Sequence, residues 1–300
     1  MSKEAYGMPM LSVNGVDLHV HQQGRDHEPA IVFIHPPLLT SENFNYQMAS
    51  LSDEFHTIAF DLRGHGFSGS SDQTFSYALL AEDIRQLLDK LDIEKAYLCG
   101  YSTGTTVAIE AMLANPDRYY GGILISGMAE VDDWINKSRI RLAALLSNQL
   151  TRGLLARAIA YGNSDMAITY SNLLKGARQT DTRTVREYYR TSLIHKNISR
   201  AAQLELPQLL VYGEKDKCFR NYAHQLHQTL PDSHLFFIKN VSHQLPTKAP
   251  RKLNSLIRHW IRLCQEDWQD QRPLRRADIA NEMGDQLFER VLREQEEQFL

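Results

Sequence analysis

Cysteine is scarce in this chain. Only three occur among 300 residues. Cys99, Cys218 and Cys264 are scattered, with the spacing of neither a metal site nor a disulfide framework. No metal is therefore expected, and a reducing, cytoplasmic setting is. Long apolar runs are also missing: no stretch approaches the roughly 20 residues of a membrane-spanning helix. Met1-Ser2-Lys3-Glu4-Ala5 lacks the apolar core of a secretion signal. Neither sign of charge dominates, since 33 Lys and Arg face 36 Asp and Glu for a formal net charge of −3. Without a long basic run, nucleic acid is not an expected partner, and nor is a membrane. Repeats and low-complexity tracts are absent. A composition of 43% apolar and 23% charged residues remains, which is that of a globular protein.

Residues 10–22 alternate apolar and polar around Asn14-Gly15, which predicts a hairpin. Short apolar runs follow at Ile31–Ile34, His56–Phe60, Tyr97–Cys99, Gly122–Ile125, Leu209–Tyr212 and Leu235–Ile238. Runs this short and this apolar suit strands buried on both faces of a parallel sheet. Helical patterns lie between most of them. Tyr77–Leu91 keeps Leu80, Ile84, Leu87, Leu88 and Leu91 on one face, and Leu253–Cys264 is similar. The fold class is therefore α/β: a mostly parallel, doubly wound sheet of eight-strand type, opened by a hairpin.

The alternation of strand and helix breaks between Gly127 and Leu206. That stretch is helix-like and carries twelve Lys or Arg against seven Asp or Glu. It is expected to form a helical cap, residues 127–205, inserted between two halves of the core, residues 1–126 and 206–265. Such a cap would lie over the C-terminal edge of the sheet, where ligands bind in open α/β folds. Residues 266–300 hold ten acids against five arginines, with Ile279, Met283, Leu287, Val291 and Leu292 at helical spacing. An apolar stripe on an acidic extension wants a partner surface, either the basic cap or a neighbouring subunit. The alternative is a frayed, solvated tail.

Gly100-Tyr101-Ser102-Thr103-Gly104 is the most informative motif. Ala96-Tyr97-Leu98-Cys99 before it reads as a buried strand. Thr105–Ala114 after it reads as a helix stopped by Asn115-Pro116. A serine flanked by glycines at a strand-to-helix corner is a nucleophile elbow, in which a tight turn pushes Oγ out at the top of the sheet. A serine hydroxyl needs a base to take its proton, and the base needs a carboxylate to orient it. In folds with this elbow the partners follow in the order serine, acid, histidine. Asp216, in the turn Gly213-Glu214-Lys215-Asp216 after a strand, is the expected acid, with Glu214 as its neighbour and alternative. His243, after the last strand, is the expected base.

From about Leu11 to Cys264 the chain resembles the α/β-hydrolase family, in particular the group with a helical cap. That group includes esterases, lactonases, haloalkane dehalogenases and cofactor-free haloperoxidases. The resemblance is carried by the elbow, Asp61-Leu62-Arg63-Gly64-His65-Gly66-Phe67-Ser68, Gly213-Glu214-Lys215-Asp216 and Val241-Ser242-His243. It implies attack by Ser102 on an ester, thioester or lactone of a small molecule, with no cofactor. Tyr101 and His35 are expected to contact that substrate. The Asp61–Ser68 loop reads as structural, because its Asp and Arg can bond backbone.

The resemblance also implies two backbone donors to the oxyanion. One is the N–H of Thr103. The other falls on Pro37 of His35-Pro36-Pro37-Leu38, and proline has no N–H. Leu38 N–H, or the hydroxyl of Thr40 or Ser41, is the expected substitute. Two rival readings remain open: a haloperoxidase-like or other reaction without two donors, and a binding or signalling protein with weak catalysis.

Overall fold

The computed structural model describes residues 10–26 and 28–270. Its strands are β1 (Met10–Val13), β2 (Val16–Gln23), β3 (Ala30–Ile34), β4 (His56–Phe60), β5 (Ala96–Tyr101), β6 (Tyr119–Ile125), β7 (Gln208–Gly213) and β8 (Ser233–Ile238). They form one sheet in the order β1-β2-β4-β3-β5-β6-β7-β8. β1 and β2 pair antiparallel, as do β2 and β4, and every other pairing is parallel. Asn14 and Gly15 turn the first hairpin with φ of 47° and 78°, the left-handed pair that a two-residue turn matching strand twist requires. All residues of β3, β4 and β5 are buried, which explains why these segments read as unbroken apolar runs.

Helices α1 (Asn45–Leu51), α2 (Tyr77–Lys90) and α3 (Gly104–Ala114) follow β3, β4 and β5. Between β6 and β7 come α4 (Trp134–Leu146), α5 (Arg152–Gly162), α6 (Ala167–Gln179), α7 (Thr182–Ile194) and α8 (Ile198–Ala201). α9 (Arg220–Thr229) joins β7 to β8, and α10 (Leu245–Lys248) and α11 (Pro250–Asp270) complete the order. Two glycines of β6 show that helices cover both faces of the sheet. A Cβ on Gly121 would stand 3.2 Å from Trp260 of α11, and one on the next residue, Gly122, 2.7 Å from Met112 of α3. Successive strand residues face opposite ways, so α11 and α3 lie on opposite sides. α11 continues unbroken past the expected core boundary at residue 265. The acidic extension expected beyond it falls, from residue 271 onward, outside the described residues.

The helical insertion α4–α8 sits on the C-terminal ends of the strands. Its Asp181 N–H donates to Gly64 O after β4 at 2.7 Å, and Tyr77 Oη pairs with Ser192 Oγ at 2.7 Å. Three consecutive insertion residues reach three different core elements, β5, α10 and α1. Asn163 accepts from Tyr101 Oη at 2.9 Å, Ser164 O accepts from Lys248 Nζ, and Asp165 accepts from Tyr46 Oη at 2.6 Å.

The loop after β4 is held by buried charge. Asp61 Oδ1 accepts from Ser41 N–H at 2.8 Å and Ser41 Oγ at 2.7 Å. Its Oδ2 accepts from Phe67 N–H at 2.9 Å and stands 3.2 Å from His19 Nδ1. Burial opposes the charged form of Asp61, but the hydrogen bonds led by His19 prevail and lower its pKa from 3.8 to about 2. A folded pKa below the unfolded value stabilises the fold at neutral pH, here by about 2 kcal/mol. That stability is present above about pH 4 and is lost as pH falls towards 2. Asp61→Asn is expected to flatten this part of the acid limb, and unfolding measured as a function of pH reads it directly. Arg63 forks onto Asp83, with Nε to Oδ2 at 2.6 Å, and Nη1 reaches Ser71 Oγ at 2.8 Å.

Among the described residues no helix is long and apolar enough to cross a membrane. The same residues hold no cluster of His, Cys, Asp or Glu placed to bind a metal ion.

Candidate active site

Ser102 stands where β5 ends and α3 begins, with φ of +53°, a left-handed conformation that costs a non-glycine residue on the order of 1–3 kcal/mol. The turn is clamped from several sides. Ser102 N–H donates to Ile125 O at 2.8 Å, and Ser102 O accepts from Thr105 N–H at 3.1 Å. The flanking glycines are obligatory on contact grounds. A Cβ on Gly100 would lie 2.6 Å from Gly104 O, and one on Gly104 would lie 2.2 Å from Ile34 O.

The expected partners come from the ends of β7 and β8. His243 Nε2 is 3.0 Å from Ser102 Oγ, and His243 Nδ1 is 2.6 Å from Asp216 Oδ2. With the carboxylate accepting from Nδ1–H, Nε2 carries the lone pair and faces the serine. Glu214 points elsewhere, accepting from Asn240 N–H at 3.1 Å. Asp216 is buried, whereas His243 and Ser102 are half-buried.

Several residues hold His243 in place, among them Ser126 and Phe219, which the sequence did not single out. A Cβ on Gly213 would fall 2.1 Å from Ser242 O, so the histidine loop lies directly on the end of β7. Ser126 Oγ donates to His243 O at 2.9 Å. The ring of Phe219 packs against the imidazole at a 45° tilt with centroids 4.2 Å apart, and that of Tyr101 lies 5.5 Å away. Glycine at a strand end was a readable signal for Gly213; Ser126 and Phe219 left none.

Residues 25–248 match the Hydrolase_4 family, described as serine aminopeptidase, S33. This chain belongs to that α/β-hydrolase family. Among its relatives, 3-oxoadipate enol-lactonase 1 of Acinetobacter baylyi is 24% identical over 87% of this chain and 99% of its own length. The mouse serine hydrolase BPHL is 26% identical over 84% of this chain and 85% of its own length. A crystal structure of a hydrolase from Pseudomonas aeruginosa superimposes with a TM-score of 0.77, at 18% identity, over 86% of this chain and 99% of that one.

Within this α/β hydrolase the loop after β3 departs from expectation at Ser41 and His35. Ser41 does not face the elbow, because its Oγ donates to Asp61. Thr40 Oγ1 is buried without a hydrogen-bond partner, and the residue packs against Gly176 of the insertion, where a Cβ would meet its Cγ2 at 2.6 Å. His35 is 0% exposed, with Nδ1 2.9 Å from Pro36 O and Nε2 accepting from Leu62 N–H at 2.9 Å. One ring nitrogen is engaged in its own loop and the other on the loop after β4, so His35 braces the two loops together. Burial lowers its pKa, which keeps the ring neutral.

Tyr101 is likewise corrected. At 1% exposure, with its hydroxyl bonded to Asn163, it links the elbow to the insertion and packs on His243. Leu38 is the remaining member of the loop. Pro36–Leu39 form a turn closed by Leu39 N–H to Pro36 O at 3.2 Å, with Leu38 at φ +60°. This is a type II arrangement, with proline at its second position and positive φ at its third. The N–H groups of Leu38 and Thr103 make no hydrogen bond among the described residues.

Proposed function

We propose that the protein is a serine hydrolase cleaving a small or medium ester, thioester or lactone through an acyl-enzyme on Ser102. The observation that carries this reading is the unbroken chain from Ser102 Oγ through His243 to Asp216, at 3.0 Å and 2.6 Å. Oγ attacks the acyl carbon as its proton passes to His243 Nε2. Asp216 orients the imidazole and stabilises the imidazolium that forms. His243 then protonates the departing oxygen or sulfur, the C–O or C–S bond breaks, and the acyl group stays on Oγ. Water, giving its proton to His243, attacks the acyl carbon, and Oγ leaves with that proton. Thr103 N–H and Leu38 N–H hold the oxyanion, with Leu38 taking over the position that Pro37 cannot serve. Both groups are otherwise unengaged, which supports this assignment.

The relative named as an enol-lactonase supports a cyclic ester among the substrates. The protein acts as a soluble cytoplasmic enzyme, consistent with its scarce cysteines. A fluorophosphonate probe tests the reading, because it bonds only to an activated, accessible serine. Stoichiometric labelling of the wild type is expected, competed by whichever ester or lactone in a panel is turned over. A folded wild type that stays unlabelled and hydrolyses no p-nitrophenyl ester would sink it.

A further inference from the structure

Between α4 and α7, on the helical insertion, runs a groove of about 490 Å³. Its charged rim is Arg141, Arg186 and Arg190, and its apolar lining includes Ala144, Leu145 and Leu193. Arg186 is occupied, donating from Nε and Nη2 to Ser147 O at 3.0 and 2.9 Å. Arg141 and Arg190 are exposed, and no carboxylate among the described residues pairs with either. Leu145 of the lining is 72% exposed, and Leu142 and Ile194, on the same two helices, are 56% and 77% exposed. Exposed apolar surface rimmed by charge marks a docking site. What fits here is an apolar ridge flanked by acids.

Residues 278–292 carry that pattern. Ile279, Met283, Leu287 and Val291 recur at intervals of four, and Asp278, Glu282, Asp285 and Glu289 recur beside them at intervals of four, three and four. On a helix these form two adjacent rows, one apolar and one acidic. The rows are complementary to the groove in both polarity and charge.

Reach decides which molecule supplies the segment. α11 starts beside α10 at the C-terminal edge of the sheet and runs to the opposite edge. Trp260 there donates to His234 Nδ1 at 3.2 Å, near the beginning of β8, and its ring packs on Tyr97 near the beginning of β5. The ten residues to Asp270 carry the helix about 15 Å farther from the insertion. The strands themselves add about 20 Å between that edge and the groove, a separation of about 35 Å in all. Residues 271–277, even fully extended, bridge about 27 Å from Asp270 to Asp278. The segment therefore falls short of the groove on its own molecule.

We propose that the α4–α7 groove is an interface between two copies of this chain, each filling its partner's groove with residues 278–292. Such an exchange is two-fold and self-closing, so it yields dimers and not fibres. Sedimentation of the full-length protein across a dilution series tests it. The wild type is expected to be a dimer. Arg141→Glu/Arg190→Glu should raise the dissociation constant by at least about tenfold, and so should Glu282→Arg/Glu289→Arg. Combining all four substitutions brings opposite charges face to face again and should restore the dimer. Far-UV circular dichroism and p-nitrophenyl acetate turnover serve as controls of folding, since Arg141 and Arg190 line the groove and not the Ser102 elbow. A monomeric wild type, a dimer insensitive to both reversed pairs, or a fourfold variant that stays monomeric would each overturn the proposal.

Discussion

Ser102→Ala is expected to reduce the turnover of p-nitrophenyl esters by about 10⁴-fold or more, while leaving the fold and substrate binding intact. Alanine removes one oxygen atom, and Ser102 Oγ is the one hydroxyl among the described residues that is bonded to His243 Nε2. Ser41 is bonded to Asp61, and Thr105 Oγ1 donates to Ser102 O at 2.6 Å. Asp216→Asn should come close to the same loss, about 10⁴-fold in kcat, by a different route. Its amide would donate where the carboxylate accepts, turning the imidazole to the tautomer whose Nε2 carries hydrogen and cannot act as a base. Glu214 stands two residues away but is engaged at Asn240, so it offers no rescue. Steady-state kinetics beside fluorophosphonate labelling of the three proteins checks both expectations. Turnover in Ser102→Ala within tenfold of wild type would place the chemistry elsewhere.

The largest effect on stability is expected at Arg63, far from any reacting atom. Arg63→Ala would leave the buried Asp83 carboxylate with Asn14 Nδ2, at 2.7 Å, as its remaining donor. Breaking a buried ion pair by removing one partner typically costs about 3–5 kcal/mol, most of it the penalty of an uncompensated charge. Urea denaturation should show a lower midpoint at an unchanged m-value. Arg63→Lys should recover only part of the loss, because a point charge cannot reproduce a fork that meets both carboxylate oxygens. Replacing Arg63 and Asp83 together by apolar residues should be milder than Arg63→Ala alone, which separates buried charge from simple loss of contacts.

The sheet was legible because its strands are buried on both faces. Ile31–Ile34 and His56–Phe60 need only be apolar and short to declare themselves. Sequence order likewise named Ser102, Asp216 and His243, since each follows a strand at the same edge of the sheet. The loop after β3 was not legible in this way. Ser41, Thr40 and His35 are all polar, follow a strand of the same sheet, and are plausible as donors or ligands. Their fates depend on Asp61, Gly176 and Leu62, which lie 20 or more residues away in the chain, and no local pattern encodes such pairings. The backbone carries the same lesson. Leu38, Ser102, Ser126 and Asn240 have positive φ in the segments that follow β3, β5, β6 and β8. None is glycine, so composition gave no warning that four loops at one edge of the sheet are strained.

The bracing of His35 has a chemical consequence. Its imidazole is spoken for at both nitrogens, and in His65 burial lowers the pKa to about 3. Burial disfavours the charged form of His35 as well, so both rings are held in the neutral state. Two imidazoles thus serve the fold as masonry, uncharged cross-members where the loops after β3 and β4 meet, and proton transfer is left to the ring that faces Ser102.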